Sequence, residues 1–360
     1  MINMRLLIAS GAKDKFVYLE ELSAALINMG IQCKLVRDID YARGFPSKKI
    51  SDWFYSDKQF RKLIDDFKPD AILIERCTHF GLFAIKSKIP VFLYMRGDYW
   101  KESKAAKETL YKDKPIMRLV IWFRDRIAEK CFSNATAILP ISHYLEIEIK
   151  NRYPKNSTYI LREGVDHSIW YDVKTSSLKH PCVGILQNAN VWLKTKELLV
   201  LPKIIEALPN VTFYWAGDGV YRDRVLPHLQ KYDNFKWLGS LEYPDKVREF
   251  LSEIDIYALM SGMDTLGVTV LEAMLMKKPV IATSVGGVPE LIDDQKTGFL
   301  IDQGDSQKWI KTIIWLFSNY DQAKKIGDSA NKFVKENYSW EKMAQDLLKT
   351  ISQHTRNNTP

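Results

Sequence analysis

The sequence predicts an α/β protein built as two parallel-sheet units. Three observations carry this. Residues 4–36 read as strand, helix, strand. Later apolar runs each end in a polar or Gly-containing loop. A second series of strands begins at Cys182, after a polar, Ser-rich stretch at 174–179. Alternation of short apolar strands with helical periodicity is the pattern of parallel sheets flanked by helices. The 360 residues suffice for two such units. The expected boundaries are 1–175 for the first unit, 176–338 for the second, and 339–360 for a terminal helical segment.

Met4 to Ser10 is an apolar strand punctuated by Gly11. From Phe16 to Met29, Val17, Leu19, Leu22, Ala25, Leu26 and Met29 recur at helical spacing, and Gly30 is a helix stop. Strands follow at 31–36, 69–74, 90–95 and 137–142. A helix is predicted at 53–67, a solvated lysine-rich loop at 101–114, and a core-facing helix at 115–132. That helix also carries Arg118, Arg124 and Arg126 beside Trp122 and Phe123, a pattern that a membrane interface would accept. Ser142 fits a cap for the helix from His143. Residues 174–179 read as the linker. In the second unit, strands are expected at 182–186, 211–216, 235–239, 254–261, 279–283 and 297–301. Helices are expected at 198–208, 245–254, 308–317, 323–337 and 340–351, with a frayed end at 356–360.

The composition is 46% hydrophobic and 27% charged, that of a globular chain. No apolar run approaches the ~18 residues of a membrane-spanning helix, and the N-terminus does not read as a signal peptide. Cys33, Cys77, Cys131 and Cys182 form no C-x-x-C pair and read as reduced core residues of a cytoplasmic protein. The charge is uneven. Residues 1–175 hold 30 Lys and Arg against 22 Asp and Glu, whereas the remainder holds 22 of each. The basic half suits phosphates or an anionic membrane surface, with a plain solvated surface as the alternative. A nucleic-acid partner is not expected, because no motif for one is present.

Two short motifs carry no chemistry of their own. Asp38-Ile39-Asp40 has the spacing of a divalent-cation pair, but it falls in the polar loop expected after the second strand, and no metal is expected. Gly217-Asp218-Gly219 has Arg222 where a dinucleotide fingerprint needs glycine.

The most informative stretch runs from Ile254 to Glu290. It reads strand, Gly-containing loop, helix, strand, Gly-Gly turn. Asp264 and Glu272 stand eight residues apart, with Gly267 between them, Ala273-Met274 after them, then Pro279-Val280-Ile281-Ala282-Thr283 and Gly286-Gly287-Val288-Pro289-Glu290. A loop entering a helix N-terminus presents free N–H groups to an anion, and carboxylates accept from sugar hydroxyls. This stretch resembles the signature of the retaining glycosyltransferases of family 4, with Asp264 in place of the usual first Glu.

The resemblance implies a GT-B fold, in which two Rossmann-like domains face across a cleft and the C-terminal helix returns to the first domain. It implies a metal-independent, hexosyltransferase-type enzyme with no cofactor beyond its nucleotide-diphosphate sugar. The acceptor would be a glycan or a lipid-linked sugar, placing the chain at the inner face of the membrane. Lys194 and the Leu266-Gly267-Val268 backbone would hold the diphosphate. Asp264 would bind sugar hydroxyls, Glu272 the ribose, and Glu290 would support the loop. Leu238 falls on the strand beside the base, Gly11 on the first Gly loop, and Asn188 where the family carries Arg, with Lys196 as a second cation. Arg96 occupies a position usually held by His, two residues before Asp98. It would pair with Asp98 or hold a phosphate. Glu163 stands in place of an Asn in an Asn-Gly-Val-Asp-like element ending at Asp166. A non-catalytic sugar-nucleotide-binding subunit is the rival reading.

Overall fold

The computed structural model describes residues 4–11, 13–47, 50–53 and 56–355, with the side chains of 13–17, 50 and 51 set aside. The end expected to fray, 356–360, lies outside them. The chain divides into two compact units, residues 1–164 with 340–360 and residues 165–339.

The first unit holds a five-stranded sheet of β1 (Arg5–Ser10), β2 (Gln32–Arg37), β3 (Ala71–Ile74), β4 (Val91–Met95) and β5 (Ala137–Pro140). The order is β2-β1-β3-β4-β5, and every pairing is parallel. The connecting helices are α1 (Lys13–Asn28), α2 (Asp38–Tyr41), α3 (Lys58–Phe67), α4 (His79–Lys86), α5 (Tyr99–Glu108), α6 (Pro115–Asn134) and α7 (His143–Arg152). Leu19, Leu22 and Leu26 of α1 bury against β1, and Gly30 leaves the helix at φ +86 as the stop predicts. A fully buried leucine of this kind is worth about 1.5–3 kcal/mol.

The second unit holds β6 (Cys182–Leu186), α8 (Trp192–Thr195), α9 (Leu201–Ala207), β7 (Thr212–Ala216), α10 (Leu226–Leu229), β8 (Phe235–Gly239), α11 (Asp245–Glu253), β9 (Ile256–Leu259), α12 (Val268–Leu275), β10 (Val280–Thr283), β11 (Phe299–Ile301), α13 (Ser306–Ser318) and α14 (Tyr320–Asn337). Its sheet is parallel in the order β11-β10-β9-β6-β7-β8. The terminal helix α15 (Trp340–Thr355) belongs to the first unit, where Met343, Ala344, Leu347 and Ile351 join the core under α1.

Five expectations need correction. The first unit closes at Gly164, ahead of the expected boundary at 175. The supposed linker is strapped to the second unit: Val173 donates to Ser252 Oγ at 3.0 Å, Leu178 donates to Glu253 Oε1 at 2.5 Å, and Thr175 donates to the same carboxylate. Burial pushes the Glu253 carboxyl upward, but these donors outweigh it and hold the group below its ordinary range. The lysine-rich loop at 101–114 is helical through Glu108, because Ala, Lys and Glu are strong helix formers. The helix expected at 53–67 begins at Lys58, after a short 3₁₀ turn at Ile50–Trp53. The helix expected at 198–208 is α-helical only over α9, its start being a 3₁₀ turn at Lys196–Val200 that follows α8.

Candidate functional site

In open parallel sheets, ligands meet the loops at the C-terminal ends of the strands. Both units concentrate their unusual polar chemistry there.

In the second unit, β9 runs into Ser261–Gly267, and α12 starts immediately after. Gly267 adopts φ +92, which turns the chain onto the helix without strain. Asp264 does not cap α12: its Oδ1 accepts the Leu266 N–H at 3.4 Å, and its Oδ2 lies 3.4 Å from Lys194 Nζ. The Gly286-Gly287 turn after β10 closes over the same residue, with Gly287 N–H donating to the Asp264 carbonyl at 3.1 Å. A Cβ added at Gly286, which has φ +56, would sit 1.7 Å from that carbonyl oxygen. Glycine there is a steric requirement.

Lys194 is placed by a second set of contacts. Its carbonyl accepts from Gly262 N–H at 3.1 Å and from Gln187 Nε2 at 3.3 Å. A Cβ on Gly262 would reach 2.2 Å from the Leu193 carbonyl and 3.1 Å from Lys196 Cε, so the two loops touch through that glycine. Gln303 Nε2 donates to the Gly262 carbonyl at 2.9 Å, and Gly304 N–H donates to Glu197 Oε1 at 2.7 Å. Burial raises the Glu197 carboxyl above its ordinary value. Glu197, Gln303 and Gly304 escaped the sequence reading, in which Gln187 entered only as the neighbour of Asn188. Gly262, adjoining the signature loop, was the one visible signal.

Glu272, 3% exposed, is not a surface acid. The neighbouring Tyr257 hydroxyl donates to Thr269 Oγ1 at 2.6 Å, and its titration is driven far upward by burial and by the nearby Glu272 and Asp264. Glu290 is half-buried in the turn Val288–Glu290, where its N–H donates to the Gly287 carbonyl at 3.0 Å. Asn188 is exposed, and its Oδ1 accepts from Asn190 N–H at 3.4 Å. Leu238 lies on the outer strand β8, separated from β9 by β6 and β7. The fold thus gathers Lys194, Asp264, Leu266, Gly267 and Glu290 around one loop cluster and leaves Leu238 apart.

In the first unit, Arg96 follows β4. Its Nε and NH2 donate to Glu163 at 2.8 and 2.5 Å, its NH1 donates to Glu75 at 3.3 Å, and its guanidinium lies 4.7 Å from the Tyr18 ring. Ser10 Oγ donates to Glu75 Oε2 at 2.5 Å. The two substitutions that stood out in sequence, Arg96 and Glu163, are therefore partners, and the expected pairing of Arg96 with Asp98 does not form. Burial works against the Arg96 charge, but Glu163, Tyr94 and Glu75 more than restore it, and its titration moves upward. Asp98 is fully buried. It caps α5 through Lys101 N–H at 3.0 Å and accepts from Tyr144 at 3.0 Å. Ser142 likewise caps α7, accepting from Leu145 N–H at 3.4 Å.

A cavity of about 880 Å³ opens beside Arg96, lined also by Arg76, His79, Glu102 and Arg124. Gly11 borders this region: a Cβ there would fall 1.5 Å from the Arg76 guanidinium. Asp38 and Asp40 do not converge. Asp38 is buried and accepts from Thr78 Oγ1 at 3.0 Å, whereas Asp40 pairs with Arg37 at 2.8 Å. Asp218 pairs with Arg222 at 3.1 Å. Elsewhere, His180, Cys182 and Asp255 cluster at the opposite end of the second sheet. Asp255 Oδ2 already accepts from Cys182 N–H at 2.7 Å, and burial pushes the thiol up to about 12, so this group is not primed as a thiolate ligand.

The loop cluster from Asp264 to Glu290 falls inside a segment, residues 184–319, that matches the model of the glycosyl transferases group 1 family. Most of the second unit is thus similar to the group 1 glycosyltransferases. The chain is 25% identical over 225 residues to an uncharacterized glycosyltransferase, MJ1178, of Methanocaldococcus jannaschii, covering 61% of this chain and 60% of that one. It is 32% identical over 148 residues to the sulfoquinovosyl transferase SQD2 of Arabidopsis thaliana, covering 40% of this chain and 28% of that one. The chain thus spans less than two thirds of the length of each of these relatives. Among solved structures, a sucrose-phosphate synthase from Thermosynechococcus elongatus superposes with a TM-score of 0.76 at 14% identity, covering 99% of this chain and all of that one. Anabaena Alr3699/HepE, solved in complex with UDP-glucose, gives 0.72 at 16% identity, covering 98% of this chain and all of that one. These structural likenesses establish the GT-B fold, with one Rossmann-like sheet in each unit.

Proposed function

We propose that the chain is a retaining glycosyltransferase that moves a sugar from a nucleotide-diphosphate donor to a glycan or lipid-linked acceptor, without a metal. The observation that carries this reading is the loop cluster around Asp264, where a single cation, Lys194, meets a carboxylate at the mouth of a helix. In this reading the diphosphate displaces Asp264 as the partner of Lys194, and the N–H groups of Leu266, Gly267 and Val268 face the phosphate oxygens. Asp264 is released to accept from the sugar hydroxyls, Glu272 meets the ribose, and Glu290 keeps the Gly286 turn in place. Negative charge grows on the leaving diphosphate as the sugar departs, so a fixed cation and fixed N–H dipoles stabilise the transition state more than the ground state. The arginine-lined cavity of the first unit is the acceptor region. It favours a phosphate-bearing acceptor over a neutral free sugar, with the chain working at the inner face of a membrane.

The test is a thermal-shift panel of UDP-, GDP- and ADP-sugars on the full chain. One donor should raise the melting temperature, and Lys194→Ala and Glu272→Gln should weaken that rise. No shift with any donor, together with unchanged behaviour of both variants, would overturn the reading.

A further inference from the structure

Helix α6 has its amphipathic pattern inverted over its first two turns. The helix buries Ile121, Ile127, Ala128, Cys131 and Phe132. Ile116, Leu119 and Trp122 recur every third residue along a stripe that runs away from the buried side, where they are 77%, 55% and 47% exposed. A solvated helix places polar residues at such positions. The apolar surface does not stop at the helix. Trp122 packs edge-on against Phe123 at 4.9 Å, Phe123 against Phe45 at 4.8 Å, and Phe45 against Trp53 at 5.1 Å; Trp53 is itself 45% exposed. The indole of Trp53 is fixed by its N–H donating to the Ser47 carbonyl at 2.8 Å. Two exposed tryptophans are thus tied through two phenylalanines into one relay.

The surround of this patch is basic. Lys112, Lys114 and Arg118 are exposed beside it, with Asp113 among them, and the Arg126 guanidinium, paired with Glu129 at 3.1 Å, lies 5.2 Å from the Trp122 ring. An apolar tip carrying tryptophans within a cationic collar matches the chemistry of one occupant, the headgroup boundary of an anionic bilayer. Among the described residues no helix is long and apolar enough to cross a membrane, so such contact would be peripheral.

We infer that the start of α6, with Trp53 and Trp122, is a docking surface that inserts into an anionic lipid bilayer. The inference deepens the lipid-linked reading of the acceptor and rests on that reading only for its purpose. The cavity of the first unit shares Arg124 with α6 and Ser47 and Asp52 with the Trp53 loop, so docking would bring the cavity mouth toward the headgroups that carry an acceptor.

The experiment is co-sedimentation of the full chain with vesicles of phosphatidylcholine alone and with phosphatidylglycerol added, without any sugar nucleotide. Failure here is therefore separate from failure of donor binding. The wild type should sediment with the anionic vesicles and be released by salt. The combined variant Ile116→Ser, Leu119→Ser, Trp122→Ser changes only exposed side chains and should keep its melting temperature while losing about tenfold or more in partitioning. Lys112→Ser with Lys114→Ser and Arg118→Ser should erase the preference for anionic lipid. The inference is overturned if the wild type ignores anionic vesicles or if the apolar variant binds them equally well. It is also overturned if the wild type is a dimer that this variant dissociates, since the patch would then be a self-interface.

Discussion

Arg96 and Lys194 are both cations in loops that leave the C-terminal edge of a parallel sheet, and they are held in opposite ways. Arg96 is gripped by two carboxylates and a tyrosine face. Among the described residues Lys194 has one carboxylate contact, with Asp264 at 3.4 Å, and its position is set through its backbone carbonyl. A cation whose donors are already taken holds a fold together. A cation with one loose partner can exchange it for a phosphate. The comparison therefore assigns Arg96 to structure and Lys194 to ligand exchange, although the sequence offered both as anion-binding candidates.

The largest effect that would break this contrast is on Arg96. Replacing it with Ala leaves the buried carboxylates of Glu163 and Glu75 without their cation, which costs about 3–5 kcal/mol. Urea denaturation should show a marked fall in the midpoint. An unchanged midpoint with lost transfer would instead make Arg96 a ligand cation. Next is Lys194→Ala. Its single partner is partly solvated, so stability should hardly move, while donor affinity measured by calorimetry should drop by about 1.5–3 kcal/mol, roughly ten- to a hundredfold. A reversed pattern, with stability lost and affinity retained, would erase the distinction between the two cations.

Gly286→Ala sharpens the Lys194 side of the comparison by moving its partner. The added Cβ clashes with the Asp264 carbonyl at a positive φ, at a cost of about 1–3 kcal/mol. Weaker donor binding should accompany the lower melting temperature. The smallest effect concerns the support beneath Lys194. Burial raises the Glu197 carboxyl, so the folded state holds its proton more tightly than the unfolded chain. Its contribution to stability is complete below the ordinary value of 4.5 and is lost as pH rises through the folded value. Glu197→Gln keeps an acceptor for Gly304 N–H and carries no charge. The stability of the variant relative to wild type should therefore increase on going from below 4.5 to neutral pH, and a flat difference would show that Glu197 is not held in the folded state as described.

The strands were legible because each is a short apolar run stopped by Gly or a polar residue. Those buried throughout stood out most plainly in both units, since parallel strands such as Val91–Met95 and Val280–Thr283 need unbroken apolar sequence. Helix α5 was missed because its residues favour helix through propensity, while its lack of buried side chains removed the periodic signal. The strap at 173–178 was missed for another reason. Ser and Thr look the same in a linker as in a set of donors to one carboxylate, and Glu253 lies about 75 residues further along the chain.

The candidate site divides in the same way. Gly267 and Gly286 were visible because turns at positive φ demand glycine, and Asp264 was visible through its place in the signature they belong to. Local demand of this kind is what the sequence by itself determined: the alternation of elements, the two sheets, and the Gly-rich loop that enters α12. The tertiary structure alone decided which charges meet. Glu163 reaches Arg96 across 67 residues, Lys194 reaches Asp264 across 70, and the apolar residues at the start of α6 face outward. Periodicity records that a helix has an apolar side. Only the packing of the other elements decides whether that side is covered.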